Sequence, residues 1–406
     1  MRKSLFFALA VAGMLSSCSS EDAISTDANV NNGDLVPIQL GLTNSVITRG
    51  AGTVGGVTEE ENVWKNQTVN VFMLNQNTLD EAKFTLKDIN GNELPSEDLF
   101  YNTPMITPDG VNSAVASRVD GQLKYYPTQG NYDFWAYHVD EYGVGEPAVV
   151  SEPQKEGNYL YVDIKLDGSQ DVMVAKAVPT ATEVEKLGAG NETRYYSAFA
   201  ARKEVQPSME FKHLLSRLQF NVLGGNSDAC AGSASAVNVK SIQVKSLHTG
   251  KLVVAYTGEE MEQLILKNSE AADTASFVLK QRAEGDMAFK QLVDLVPVQP
   301  TWDVEADTAV KTRVGEALLV APAEKYEMTI VLSQNVQVNE DGTTEDKEYN
   351  YVTTIAPQKG AASFVKGSSY NVNITIFGLS EIKITTELKA WEQGEDVNLF
   401  PEDDNI

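Results

Sequence analysis

The sequence predicts an all-β protein, two tandem β-sandwich domains with few short helices. Three observations carry this. Apolar and polar residues alternate over many short runs, the period of a half-buried strand. Turn signals rich in Gly, Pro, Asn and Asp separate the runs. Helical periodicity is scarce and fits only residues 259–267 and a stretch near 182–187. With 406 residues, 42% of them hydrophobic, the chain has material for more than one core.

The elements follow in order. Arg2 and Lys3 precede an apolar run over residues 5–15, long enough for a secretory signal and too short to span a bilayer. Leu15-Ser16-Ser17-Cys18 then reads as a bacterial lipobox: an aliphatic residue, two small ones and a lipid-accepting Cys. Residues 1–17 are therefore a lipoprotein signal peptide. Several acyl chains on Cys18, at about 0.8 kcal/mol per buried methylene, make a stable outer-membrane anchor. The acidic Ser19-Ser20-Glu21-Asp22 resembles surface-export signals of diderm lipoproteins. Only Cys230 is then left as a free thiol, so no internal disulfide staples the fold.

A Ser-, Asp- and Asn-rich tether over residues 19–34 leads into Val36-Pro37-Ile38-Gln39-Leu40-Gly41-Leu42-Thr43. Val36, Ile38, Leu40 and Leu42 point one way on a strand of period two. Pro37 cannot donate to a ladder, so the strand lies at a sheet edge or starts there. Arg49 follows in a Gly-rich loop. Strand patterns continue at 68–74, 122–126, 132–139, 159–166 and 171–178. A second series starts at Ser208: 209–222, 237–244, 251–256, 292–298, 326–332, 349–355, 370–376 and 382–390. Residues 143–157 and 201–207 read as loops, and the domain boundary falls near residue 205. The chain closes with a turn through Gly394, an apolar segment with Val397, Leu399 and Phe400, and an acidic tip.

Motifs for chemistry are missing. A formal net charge of −25, from 57 acidic and 32 basic residues, excludes the basic footprint of a nucleic-acid partner. His138, His213 and His248 share no metal-ligand spacing, and His213 reads as a packing residue. There is no phosphate loop, no nucleophile elbow and no cofactor motif. Asp88, Asn90, Asn92 and Ser96 lack a closing Glu and read as a hairpin turn. The chain is expected not to be an enzyme.

Taken together, the residues resemble the fimbrillin family, the Mfa-like subunits of lipoprotein-derived type V pili. The carriers are the lipobox at Cys18, the strand before Arg49, and Tyr126-Pro127 leading into Tyr132-Asp133-Phe134-Trp135-Ala136-Tyr137. Next come Asp171-Val172-Met173-Val174-Ala175 and Phe211-Lys212-His213-Leu214-Leu215-Ser216-Arg217-Leu218. Gly367-Ser368-Ser369-Tyr370 and Trp391 complete them. The resemblance implies two transthyretin-like β-sandwiches, over residues 50–205 and 206–406, behind a propeptide of residues 18–49. It also implies an Arg-specific surface protease that cuts after Arg49 and leaves Gly50 as the new N-terminus. Loss of the strand carrying Val36, Ile38, Leu40 and Leu42 would open a groove; burying four such side chains is worth roughly 6–12 kcal/mol before ordering costs. In the family a neighbouring subunit's C-terminal strand refills the groove, here Val397, Leu399 and Phe400. Such a head-to-tail contact does not close on itself and makes a filament. The expected role is a stalk pilin with an adhesion function and an unassigned ligand. Alternatives are a tip or anchor subunit, or a monomeric surface lipoprotein binding glycan or host protein. Asp273-Thr274-Ala275 and Asp307-Thr308-Ala309 resemble O-glycosylation triplets of related bacteria.

Overall fold

The structure, a computed structural model, describes residues 35–43, 67–84, 90, 92, 96–107, 113–115, 117–118, 124–140, 149, 151–283, 292–337, 344–357 and 361–389. Its framework is a stack of β-sheets. A central six-stranded antiparallel sheet runs in the order Lys212–His213, Val172–Lys176, Tyr132–Val139, Thr68–Asn75, Thr103–Ile106, Ser117–Arg118. Its middle strand, Tyr132-Asp133-Phe134-Trp135-Ala136-Tyr137-His138-Val139, is buried along its whole length. It reads as a nearly continuous apolar run because each face meets a different core. Phe72, Leu74, Trp135, Tyr137, Val172 and Val174 point into the larger core. Val69, Val71, Met73, Phe134, Ala136, Met173 and Ala175 point into the smaller one.

A three-stranded sheet covers the smaller core: Ser208–Glu210, Gly41–Thr43, Ser113–Val115. On the larger core lies an antiparallel bridging sheet in the order Leu264–Leu266, Thr249–Tyr256, Tyr159–Lys165, Gln154–Glu156. It draws its strands from both sides of residue 205. Two four-stranded sheets complete the second half. One is Thr312–Val320, Ser216–Gly224, Ser369–Gly378, Glu381–Lys389; the other is Thr274–Val278, Val237–Leu247, Tyr326–Gln337, Thr344–Ile355. Leu218, Phe220, Val222, Val372 and Ile374 from the first meet Ile242, Val244, Met328 and Ile330 from the second, with the alternation of inward positions that a sandwich requires. The all-β expectation holds.

Local chemistry explains most elements. The helix Ala181–Leu187 starts with a capping box: Glu183 N donates to Thr180 Oγ1 at 3.3 Å, and Thr180 N donates to Glu183 Oε2 at 2.8 Å. Residues 259–267, expected as a helix, instead contain the strand Leu264–Leu266, paired with Thr249–Tyr256. Hairpin pairing and the burial of Leu264 in the larger core override the helix propensity of Glu, Gln and Lys there. The segment 143–157, read as a loop, carries the short strand Gln154–Glu156, and the end of the helix Ala198–Arg202 runs two residues into the segment 201–207. From the expected strand 122–126, Tyr125 forms an isolated bridge to Pro37.

Candidate functional site

The N-terminal segment fills a slot between two flanking strands. Gly41–Thr43 runs parallel to Ser208–Glu210 and antiparallel to Ser113–Val115, with Leu42 level with Met209 and Ala114. Upstream, Ile38 N donates to Lys124 O at 2.9 Å, and Tyr126 N donates to Val36 O at 2.9 Å. On the other flank Gly41 N donates to Pro207 O at 2.9 Å. A side chain at Gly41 would bring its Cβ within 3.3 Å of Ser208 Oγ, so the close approach suits glycine. Pro37 bridges Tyr125, but the bonds on that flank are made by Ile38 N and Val36 O, so its missing N–H costs none of them. The expected edge position is not what the structure shows: Pro37 sits in an isolated bridge upstream of Gly41–Thr43, and that strand is paired on both sides.

The side chains follow the expected alternation. Ile38 and Leu40 are 7% and 1% exposed in the smaller core, and Val36 packs at its margin. Below them lies an aromatic floor. Tyr126 and Phe134 rings meet edge-on at 6.3 Å, as do Phe134 and Tyr196 at 5.8 Å. Burial pushes the hydroxyls of Tyr126 and Tyr196 far above the usual tyrosine range, so both stay neutral. Gln206 was not legible as a groove residue. Its Oε1 accepts from Gln39 N and from Tyr126 Oη, each at 3.4 Å, and only the folded chain brings these three together.

Beyond the end toward which the segment runs, on the same face of the central sheet, sits a buried polar network. His138 Nδ1 lies 2.6 Å from Thr68 O, and Nε2 lies 2.9 Å from Asp140 Oδ1. Asp140 Oδ2 accepts from Asp171 N at 3.1 Å, and His213 Nδ1 lies 2.7 Å from Asp171 Oδ2. His213 is thus a satisfied interior residue, as the sequence suggests. Among the described residues no three His, Cys, Asp or Glu side chains are placed to hold a metal ion.

Cys18, Arg49, Gly50, Val397, Leu399 and Phe400 lie outside the described residues. For Leu42 only the backbone pairing is described. Thr308 is exposed on a hairpin strand, whereas the Thr274 hydroxyl is engaged with Ala271 O at 3.0 Å. No helix among the described residues is long and apolar enough to cross a membrane.

Comparison with known proteins places this geometry in context. Residues 57–391 match the model of a fimbrillin-like family. Comparison with curated proteins finds no match. Among solved structures, a candidate cell adhesion protein from Bacteroides uniformis is 14% identical, with TM-score 0.40, and covers 89% of this chain and 100% of its own. The fimbrial anchor protein Mfa2 from Porphyromonas gingivalis is 10% identical, with TM-score 0.30, covering 87% and 98%. A fimbrial assembly protein from Parabacteroides distasonis is 11% identical, with TM-score 0.29, also covering 87% and 98%.

Proposed function

The chain belongs to the fimbrillin-like family, and on that premise we propose that it is a stalk pilin, polymerised by donor-strand exchange. Lipidated at Cys18 and exported to the cell surface, the precursor is cut between Arg49 and Gly50 by an Arg-specific protease. The segment carrying Val36, Ile38, Leu40 and Leu42 then leaves. The C-terminal segment of a neighbouring subunit, with Val397, Leu399 and Phe400, takes its place. Residues 50–205 and 206–406 form the two sandwich domains of the mature subunit. Its work is structural and adhesive rather than enzymatic.

One observation carries the reading. The segment that precedes Arg49 is bonded on both flanks, and its departure would leave two strand edges unpaired at once. Losing Ile38 and Leu40 from the core would expose surface worth about 3–6 kcal/mol. Edges and apolar surface of that kind recruit another strand.

The test is the N-terminal sequence and mass of the protein on cells. A start at Gly50 in large heat-resistant assemblies is expected, and Arg49→Ala should leave lipidated monomer. Polymer ladders from that variant would refute the cleavage step. A start at Cys18 in monomers would point instead to an anchor or a monomeric binding lipoprotein.

A further inference from the structure

The two halves of the chain share a sheet and a core. Tyr159–Lys165, from the first half, pairs over its full length with Thr249–Tyr256, from the second, in the register Tyr159↔Tyr256 to Lys165↔Thr249. The ladder continues at both ends. Leu166 N donates to His248 O at 2.7 Å, and Thr257 N donates to Asn158 O at 2.9 Å. Beneath it, Leu160, Val162 and Ile164 join Leu252 and Val254 in the larger core, which runs on through Phe220, Ile330 and Val372. Trp135 of the central sheet packs against Tyr256, ring centroids 4.7 Å apart and planes tilted by 59°. Elsewhere along the junction, Leu319 N donates to Gly168 O at 2.8 Å. The connection at residue 205 is therefore one tie among several.

The N-terminal segment pairs with Ser208–Glu210, just past residue 205, but takes no part in the bridging sheet or the larger core. Val36, Ile38 and Leu40 belong to the smaller core, on the opposite face of the central sheet. We infer that the shared sheet welds the two halves into one cooperative unit, and that the core beneath the N-terminal segment is insulated from that weld. The segment can then loosen or leave while the junction keeps its geometry. The weld is a property of the single chain and does not depend on the pilin reading.

Hydrogen exchange of the full chain in graded urea tests both parts. Peptides from Tyr132–Val139 and from Tyr326–Gln337 should lose protection at one common midpoint. Leu252→Ala, in the weld, should lower both midpoints together; should it fail to fold, Ile164→Val removes one methyl from the same core. Leu40→Ala should speed exchange in Ser208–Glu210 by on the order of tenfold or more, the effect of a lost core side chain on local opening. The same variant should leave Tyr159–Lys165 and Thr249–Tyr256 within about twofold of the parent. Separate midpoints for the two halves, or a Leu252→Ala shift confined to the second half, would overturn the weld. Equal acceleration of the bridging sheet by Leu40→Ala would overturn the insulation. None of these outcomes bears on cleavage after Arg49, which is tested separately.

Discussion

His138 has an acceptor on each ring nitrogen, the Thr68 carbonyl on one side and the Asp140 carboxylate on the other. Only the imidazolium satisfies both as a donor. Burial opposes that charge, but the hydrogen bond and charge of Asp140, the Thr68 carbonyl and the nearby Asp171 outweigh it. The His138 pKa is raised above its ordinary 6.5. A histidine raised in the folded state contributes stability that is fully present below the unfolded value and lost as pH rises through the folded one. The urea midpoint of the parent should exceed that of His138→Gln most at about pH 6, and the gap should narrow with rising pH. A gap that widens with pH would mean that His138 is neutral in the fold. The sequence could not reveal the whole set: Asp140 lies two residues beyond His138, but Thr68 meets His138 only across paired strands, and Asp171 and His213 come from just before a third strand and from a fourth.

At the scale of elements, a bulge interrupts Thr312–Val320. Its register against Ser216–Gly224 shifts between Gln219 and Phe220, so that Val314 and Ala317 face neighbouring partners. Gly315 takes up the slack at φ +63°, and an added Cβ would stand 2.8 Å from Leu279 Cγ and from Lys280 O. Gly315→Ala combines a left-handed backbone with a clash against a main-chain carbonyl. It should cost about 1–3 kcal/mol, read as a lower urea midpoint at constant slope. No change would mean that the neighbouring strand yields freely. Other elements were plain in the sequence. Tyr132–Val139 was legible as a long apolar run entered through a turn, and Ser369–Gly378 from the alternation of Tyr370, Val372, Ile374 and Ile376 with polar residues. Ser113–Val115 and Leu264–Leu266 were not, since three-residue strands exist only by virtue of the partner they pair with.

The whole molecule adds what no local pattern contains. Alternating residues announce a sandwich, yet they do not say that Tyr159–Lys165 will cross to the second half or that the central sheet will carry a core on each face. Net charge, by contrast, is read directly from the sequence, and it bears on assembly. The chain carries −25, and removal of residues 1–49 takes away four acidic and three basic residues, so a cut subunit would still carry −24. Two such bodies repel on approach, whatever attraction a shared strand offers at contact. The repulsion is screened over about 10 Å at 0.1 M salt and over about 30 Å at 0.01 M. Elongation of cut subunits, followed by light scattering at fixed protein concentration, should therefore accelerate severalfold between about 0.01 and 0.15 M salt and level off above that. The C-terminal segment carries Glu402, Asp403 and Asp404, so under the proposed exchange the approaching strand would bring acidic charge with it. A rate that falls with salt would instead mean that this acidic end meets a basic patch on its neighbour. In that case attraction between the contacting surfaces, rather than repulsion between whole subunits, would govern assembly.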